Sequence, residues 1–428
     1  MEILKSELAG ALKVLGKCGD LVKITEKCLS ATNGTEMVEL EIHPLDEVPL
    51  EAVVSLFALR QAVDGGKSGE IEFEIEGDEL GVYEAVRGQS RRFGIKVNAE
   101  AWPVLEQVPE ASKSVMLSDK FTQAIAQAAQ VVDRSADRLV LRGINLNQYG
   151  LVATNGKQLL HIPLSNALQA NLTLPFPIAL LTAMPEGEAK INVWQKGEET
   201  RFCLKVEGFC WRGRAIPGVY PNWRQVIPSA DNFDYEIRLN PASLPQIIEF
   251  LQKVPDAPPT HAVMLKVVGN AVELVPTNNP QLSRKIEAEI IGQPPAAVLA
   301  LNKFILLRIL NQGYNKLKAN GHGFAPVMAE GGMGQFIAMP VRINSELNTT
   351  NQSVNEEVNK MEEKKNVEVE PMDELNASVE ALRMSLKQLY DVSVVLNRKV
   401  KEASLAQKQK EREYVQAKRA IERISAAV

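Results

Sequence analysis

Apolar residues recur at helical spacing over residues 3–15, at Ile3, Leu4, Leu8, Leu12 and Leu15, with Lys5, Lys13 and Lys17 toward the other side or end. Two strand-like runs follow around Ala31-Thr32-Asn33-Gly34, the second over 37–42, and the apolar stretch 50–63 predicts another helix stopped by Asp64-Gly65-Gly66. Ile71, Phe73 and Ile75 then alternate with glutamates, turn at Gly77-Asp78 and return through Leu80 and Val82. This period of two predicts a half-exposed antiparallel hairpin with an acidic outer face. The stretch closes on Arg91–Val97 and on Ala101-Trp102-Pro103 through Val108-Pro109.

The same order then restarts. A helix is predicted over 117–131, a strand over 138–146, an apolar helix over 177–183 and a hairpin around Lys196-Gly197. It closes on Tyr220-Pro221-Asn222-Trp223-Arg224-Gln225-Val226-Ile227-Pro228. A third round has a helix over 244–254, strands over 263–268 and 272–275, a helix over 301–317, and a hairpin turning at Gly331-Gly332-Met333-Gly334. Ala153-Thr154-Asn155-Gly156 echoes the turn at Ala31 and the Pro276-Thr277-Asn278-Asn279 segment, at a period of about 120 residues. Asn155-Gly156 between apolar runs predicts a tight type I′ hairpin with positive φ at both residues. Three tandem α+β units are expected, each with helices over one face of an antiparallel sheet, at 1–114, 115–231 and 232–344. Residues 345–374 are polar and Glu-rich, a flexible linker by composition. From Leu375 the heptad Val379, Leu382, Leu386, Leu389, Leu396, Val400 and Ala403 predicts a coiled coil or helical hairpin over 375–428 that turns basic toward its end.

Composition adds little to this picture. The chain of 428 residues is 45% hydrophobic and 24% charged, with a net charge of −5, so no chain-wide charge draws it to nucleic acid. Cys18, Cys28, Cys203 and Cys210 form no CxxC pair and read as buried thiols of a cytoplasmic protein. His43, His161, His261 and His322 lack ligand spacing, and the 331–334 glycines match no nucleotide fingerprint, so no metal, cofactor or catalytic centre is expected. The first residues are acidic and lack the apolar core of a signal peptide, and no apolar window is long enough to span a membrane. Basic residues recur near the helices: Lys5, Lys13 and Lys17; Lys120 with Arg134 and Arg138; Lys303, Arg308, Lys316 and Lys318. Scattered surface charge explains any one helix. Three units around an axis would gather these residues into a channel that contacts phosphates without reading sequence.

Four segments in this order and spacing carry a family resemblance: Ala153-Thr154-Asn155-Gly156-Lys157-Gln158-Leu159, Tyr220–Pro228, Thr277-Asn278-Asn279-Pro280 and Ala338-Met339-Pro340-Val341-Arg342-Ile343. With them, residues 1–343 resemble the bacterial DNA polymerase III β subunit, the sliding clamp. The resemblance implies a non-catalytic, head-to-tail homodimer whose clamp domains close around duplex DNA and tether a polymerase. It also implies one groove between the second and third units for peptides of polymerase and clamp-loader subunits. By position that groove would use Leu141, Thr154, Gly156, Lys157, Gln158, Leu159, Pro221, Gln225, Val226, Ile337, Met339, Pro340, Val341 and Arg342, and DNA would meet the loop from Ser135 to Arg138. The sequence departs from the family at Lys157, Gln158 and Gln225, and it runs on past Ile343 through the predicted coiled coil. An alternative expectation is a clamp-like scaffold outside replication that recruits a partner through the coiled coil. An enzyme on this fold finds no supporting residues.

Overall fold

A computed structural model describes residues 1–343 apart from 64–68, 87–88, 99–101, 104–106, 167, 230–231, 257, 294–297 and 322–323. The linker and coiled coil expected beyond Asn344 lie outside the described residues. The first round of elements is β1 (Glu2–Leu4), α1 (Lys5–Leu15), β2 (Leu21–Thr25), β3 (Cys28–Thr32), β4 (Glu36–Glu41), β5 (Glu51–Ser55), α2 (Leu56–Val63), β6 (Glu70–Glu76), β7 (Glu79–Val86) and β8 (Gln89–Lys96). The second is β9 (Lys113–Leu117), α3 (Phe121–Ala129), β10 (Ile144–Asn147), β11 (Gly150–Thr154), β12 (Gln158–Ile162), β13 (Leu172–Leu174), α4 (Ile178–Ala183), β14 (Ala189–Lys196), β15 (Glu199–Val206) and β16 (Phe209–Arg214). The third is β17 (Tyr235–Leu239), α5 (Leu244–Lys253), β18 (Ala262–Val267), β19 (Ala271–Pro276), β20 (Arg284–Gly292), β21 (Leu299–Asn302), α6 (Lys303–Asn311), β22 (Lys316–Ala319), β23 (Val327–Glu330) and β24 (Gln335–Ala338). All three rounds have the same order of strand, helix, four strands, helix, three strands.

Three expected elements differ. The apolar stretch 50–63 is strand β5 followed by α2; Ala52, Val53 and Val54 are all buried, and a strand covered on both faces has no alternation to distinguish it from a helix. Residues expected as a strand over 138–146 begin with a 3₁₀ turn at Leu139–Arg142 before β10. The helix expected over 301–317 is confined to α6, where Asn302 caps the N-terminus by accepting from the Phe304 and Ile305 amides. Lys316 and Lys318 therefore lie on strand β22.

In each round the first strand joins the last three in one half-sheet, and the other four strands make a second. The halves then fuse between rounds. Strand β4 pairs with β16, with Leu40 opposite Phe209 and Val38 opposite Trp211, giving the eight-stranded order β5-β2-β3-β4-β16-β15-β14-β9. Strand β12 pairs with β24, with Leu159 opposite Ile337, inside the twelve-stranded order β13-β10-β11-β12-β24-β23-β22-β17-β20-β19-β18-β21. The fourth strand of one round thus meets the last strand of the next, twice. Their counterparts at the two ends are β8 and the first half of β20, whose second half, Ala288–Gly292, pairs with β17. Among the described residues β8 pairs only with β7, and β20 uses Arg284–Glu287 toward β19 with no strand opposite that segment.

Helices follow the same rule. Helix α4 packs on α1, and near α6 the Gln312 amide donates to the Gln127 carbonyl and to Gln130 Oε1, both at 3.2 Å, beside α3. The second helix of the second and third rounds meets the first helix of the round before it. A continuous apolar core runs beneath, with Trp211 edge-on to Phe202 at 4.8 Å and Tyr314 edge-on to Phe336 at 5.8 Å. One ion pair is sealed inside: Lys5 Nζ bonds Glu84, and the lysine is 1% exposed. Glu84→Gln would leave that ammonium buried without a counter-charge, and we expect about 3 kcal/mol less stability in urea titration.

The turn at Asn155-Gly156 also departs from expectation. Only Gly156 adopts positive φ, at 82°, and Asn155 keeps ordinary φ because its side chain closes the loop. Asn155 Oδ1 accepts from the amides of Lys157 at 3.0 Å and Gln158 at 3.1 Å, while Thr154 Oγ1 donates to the Gln158 carbonyl at 2.8 Å. The loop is a three-residue Asx turn, not a two-residue type I′ turn. Asn33 and Thr32 make the matching bonds, with Gly34 at φ 84°. The third round has a longer connection between β19 and β20.

Candidate groove at the junction of the second and third repeats

The fused β12–β24 edge brings the Asn155 turn beside the end of β24, and the Met339 amide donates to the Lys157 carbonyl at 2.9 Å. Beneath them sits a small separate core of Val140, Val152, Leu159, Tyr220, Trp223, Met328 and Ile337. The chain linking the two rounds, Tyr220 to Val226, crosses this core, and a 3₁₀ turn at Trp223–Val226 fixes its end. Burial pushes the Tyr220 phenol up from its ordinary pKa, which keeps it neutral.

A cavity of about 240 Å³ opens between these elements. Of the predicted groove residues, Leu141, Thr154, Gly156, Lys157, Gln158, Leu159, Pro221, Val226, Ile337 and Met339 line it. Gln225, Pro340, Val341 and Arg342 do not. Gln225 faces solvent; Val341 packs toward Met264, Val275 and Ala300 and bonds the Ala300 carbonyl; Arg342 lies over the Phe324 ring at 5.8 Å. Arg138, Asn222 and Trp223 line the cavity although none was among the expected groove residues. Trp223 is the wall: it meets His161 at a 36° tilt with ring centres 4.5 Å apart and Tyr149 edge-on at 6.2 Å. Its place inside the Tyr220–Pro228 segment was the available sequence signal.

Gln158 is buried at 4% exposure, and its Oε1 accepts from Arg308 Nη1 at 2.7 Å. Burial pulls the Arg308 guanidinium below its usual pKa. Arg308 is therefore a fixed strut from α6 to the groove floor. Arg308→Met removes the donor and strands a buried carbonyl oxygen, so unfolding in urea should show a loss of about 1–3 kcal/mol.

The residues expected to meet DNA separate into three groups. Lys5 is sealed against Glu84, and Lys303, 5% exposed, bonds Asp256 and donates to the Val254 carbonyl at 2.8 Å. Both ammonium groups are engaged inside the chain, and the half-buried Arg308 donates to Gln158. Lys13, Lys17, Lys120, Arg134, Ser135 and Arg138 are exposed, and Lys316 is half-buried on β22. Arg134 lies over the Phe176 ring at 4.8 Å, Ser135 Oγ donates to Asp133 at 2.6 Å, and Arg138 reaches the groove rim. Within α3 the exposed residue is Gln123, and the helix itself carries no cation.

Among the described residues no group of three or more His, Cys, Asp or Glu is placed to hold a metal ion, and no helix is long and apolar enough to cross a membrane. An apolar trough with amide, hydroxyl and Lys157 groups at its edge can bind an extended or turned peptide.

No protein-family model matches the chain, and no curated protein matches it. Solved structures do. The DNA polymerase III subunit beta from Pseudomonas aeruginosa is 16% identical with a TM-score of 0.63, over 80% of this chain and 99% of that one. A P. aeruginosa sliding clamp bound to griselimycin is 17% identical with a TM-score of 0.66, over 80% and 99%. The DNA polymerase sliding clamp from Bacillus subtilis is 16% identical with a TM-score of 0.65, over the same shares. The chain has the fold of the DNA polymerase III β sliding clamps.

Proposed function

We propose that the protein is a divergent sliding clamp, with units dividing near residues 114 and 231. Two copies close head to tail around duplex DNA and hold partner peptides in the groove beside Trp223. The observation that carries this reading is a pair of open edges, the outer side of β8 and the Arg284–Glu287 segment of β20. Twice within the chain a fourth strand joins the last strand of the next round, and β20 and β8 are the two halves of a third such junction. An unsatisfied strand edge is a template for pairing, and a second copy supplies the complementary edge at both ends. The groove supports the same reading, because ten of the residues expected from clamp resemblance converge on one apolar cavity. The role is tethering without catalysis, with polymerase and loader subunits as the peptide donors. Primer extension on a circular template with the cognate polymerase and loader tests it. Longer products in the presence of the protein are expected, and unchanged product length would remove the replication role.

A second reading has its own support. With Lys5 and Lys303 sequestered and no cation within α3, the helices offer fewer free cations than the sequence promised. A clamp-like ring that serves as a scaffold outside replication, recruiting partners through the predicted coiled coil, accommodates that weakness. It predicts assembly into a ring without polymerase stimulation.

A further inference from the structure

We propose that Cys203 and Cys210 form an oxidisable dithiol, a modification site at which a peroxide closes a reversible disulfide between β15 and β16. Their Sγ atoms are 3.6 Å apart, in van der Waals contact. Phe202, Leu204 and Val206 of β15, and Phe209 and Trp211 of β16, turn into the core, so Cys203 and Cys210 share the opposite face of the sheet. Cys203 is fully buried, but Cys210 is half-buried and borders a surface cavity of about 340 Å³ with Cys28, Lys205 and Arg212. A small oxidant can reach the pair from the Cys210 side.

The surroundings favour one thiolate. Arg212 Nη2 lies 3.9 Å from Cys210 Sγ while also pairing with Glu39. The hydrogen bond from Cys210 pulls the Cys203 thiol down, helped by the charges of Arg212 and Lys205, and Cys210 is pushed up in exchange. Cys18 shows the contrast: burial pushes its thiol up to about 12, and it bonds only backbone carbonyls. The thiolate shared by the pair attacks one peroxide oxygen, the O–O bond breaks, and the departing hydroxide takes a proton to become water. The second sulfur then attacks the sulfenic sulfur, the S–O bond breaks and a second water leaves. Two thiols and one hydrogen peroxide yield one disulfide and two waters.

Register sets how durable the bond is. Cys203 faces Arg212 and Cys210 faces Lys205, so the cysteines are diagonal neighbours. Diagonal neighbours stand about 7–8 Å apart, past the usual disulfide span, so closing the bridge must draw β15 and β16 together, and the strain stored makes the bond readily reducible. The bridge would brace β16, the strand whose Cys210 faces Glu39 of β4 at the first junction between rounds.

The test treats the full chain with hydrogen peroxide, quenches it, unfolds it, alkylates it and maps the peptides by mass. Two of the four cysteines should resist alkylation, a Cys203–Cys210 cross-linked peptide should appear, and dithiothreitol should restore four alkyl groups. Cys28→Ser should leave this result intact. In Cys210→Ser, which removes the second sulfur, dimedone should trap a sulfenic acid on Cys203. Four alkyl groups after peroxide, or a cross-link from Cys210 to Cys28 instead, would overturn the assignment. Wild-type peptide mapping decides the matter even if a variant fails to fold.

Discussion

Phe57→Asp should weaken self-association by about thirtyfold or more, measured by sedimentation equilibrium, without lowering the urea midpoint of the monomer. Phe57 stands on α2 with 69% of its surface exposed. Helix α4 is covered by α1, and α6 ends against α3, so α2 is the one second-of-round helix whose preceding round lies outside the chain. In a head-to-tail pair, α5 of a second copy takes that place. Burying a phenylalanine contributes about 2 kcal/mol, and 1.4 kcal/mol is a factor of ten in a binding constant. A carboxylate there would also be desolvated without a partner. Because Phe57 touches little of its own core, stability of the single chain should hold. An unchanged association constant would remove α2 from the interface.

Val226→Asp and Met339→Asp should each reduce peptide binding in the groove by roughly thirtyfold or more, read by fluorescence anisotropy with a peptide from the cognate polymerase. The two side chains are 46% and 38% exposed and flank the cavity, so each can be changed without opening the Val152–Trp223 core. Circular dichroism should be unchanged for both. Gln225→Ala, outside the cavity, should bind as wild type. Equal losses at Gln225 and Val226 would mean that the peptide lies elsewhere on the linking segment.

The architecture was legible because each round repeats its punctuation. Asn33-Gly34 and Asn155-Gly156 mark the same turn, and the alternation at Ile71, Phe73 and Ile75 marks the same hairpin strand. What failed were readings that depend on distant partners. Nothing near Lys5 or Lys303 announces that Glu84 and Asp256 will fold against them, so helical spacing alone counted both as surface charge. The β5–α2 boundary at Ser55-Leu56 was hidden by burial on both sides, since a continuous apolar run fits either state. Periodicity did not expose the groove either. Resemblance supplied it, and it missed Trp223 and Asn222 because a linking segment earns its place only when two rounds are packed together. Val341 and Arg342 follow β24 in sequence, yet the bond from the Val341 amide to the Ala300 carbonyl turns the chain away from the cavity.

Retention on circular against linear duplex measures topological closure around DNA most directly. The protein is loaded onto a nicked circle, separated by gel filtration, and the circle is then cut once. Retention on the intact circle and release after linearisation, at a salt concentration that abolishes ordinary phosphate contacts, is the predicted result. Retention that is the same before and after the cut, or that vanishes from both forms as salt rises, would contradict it.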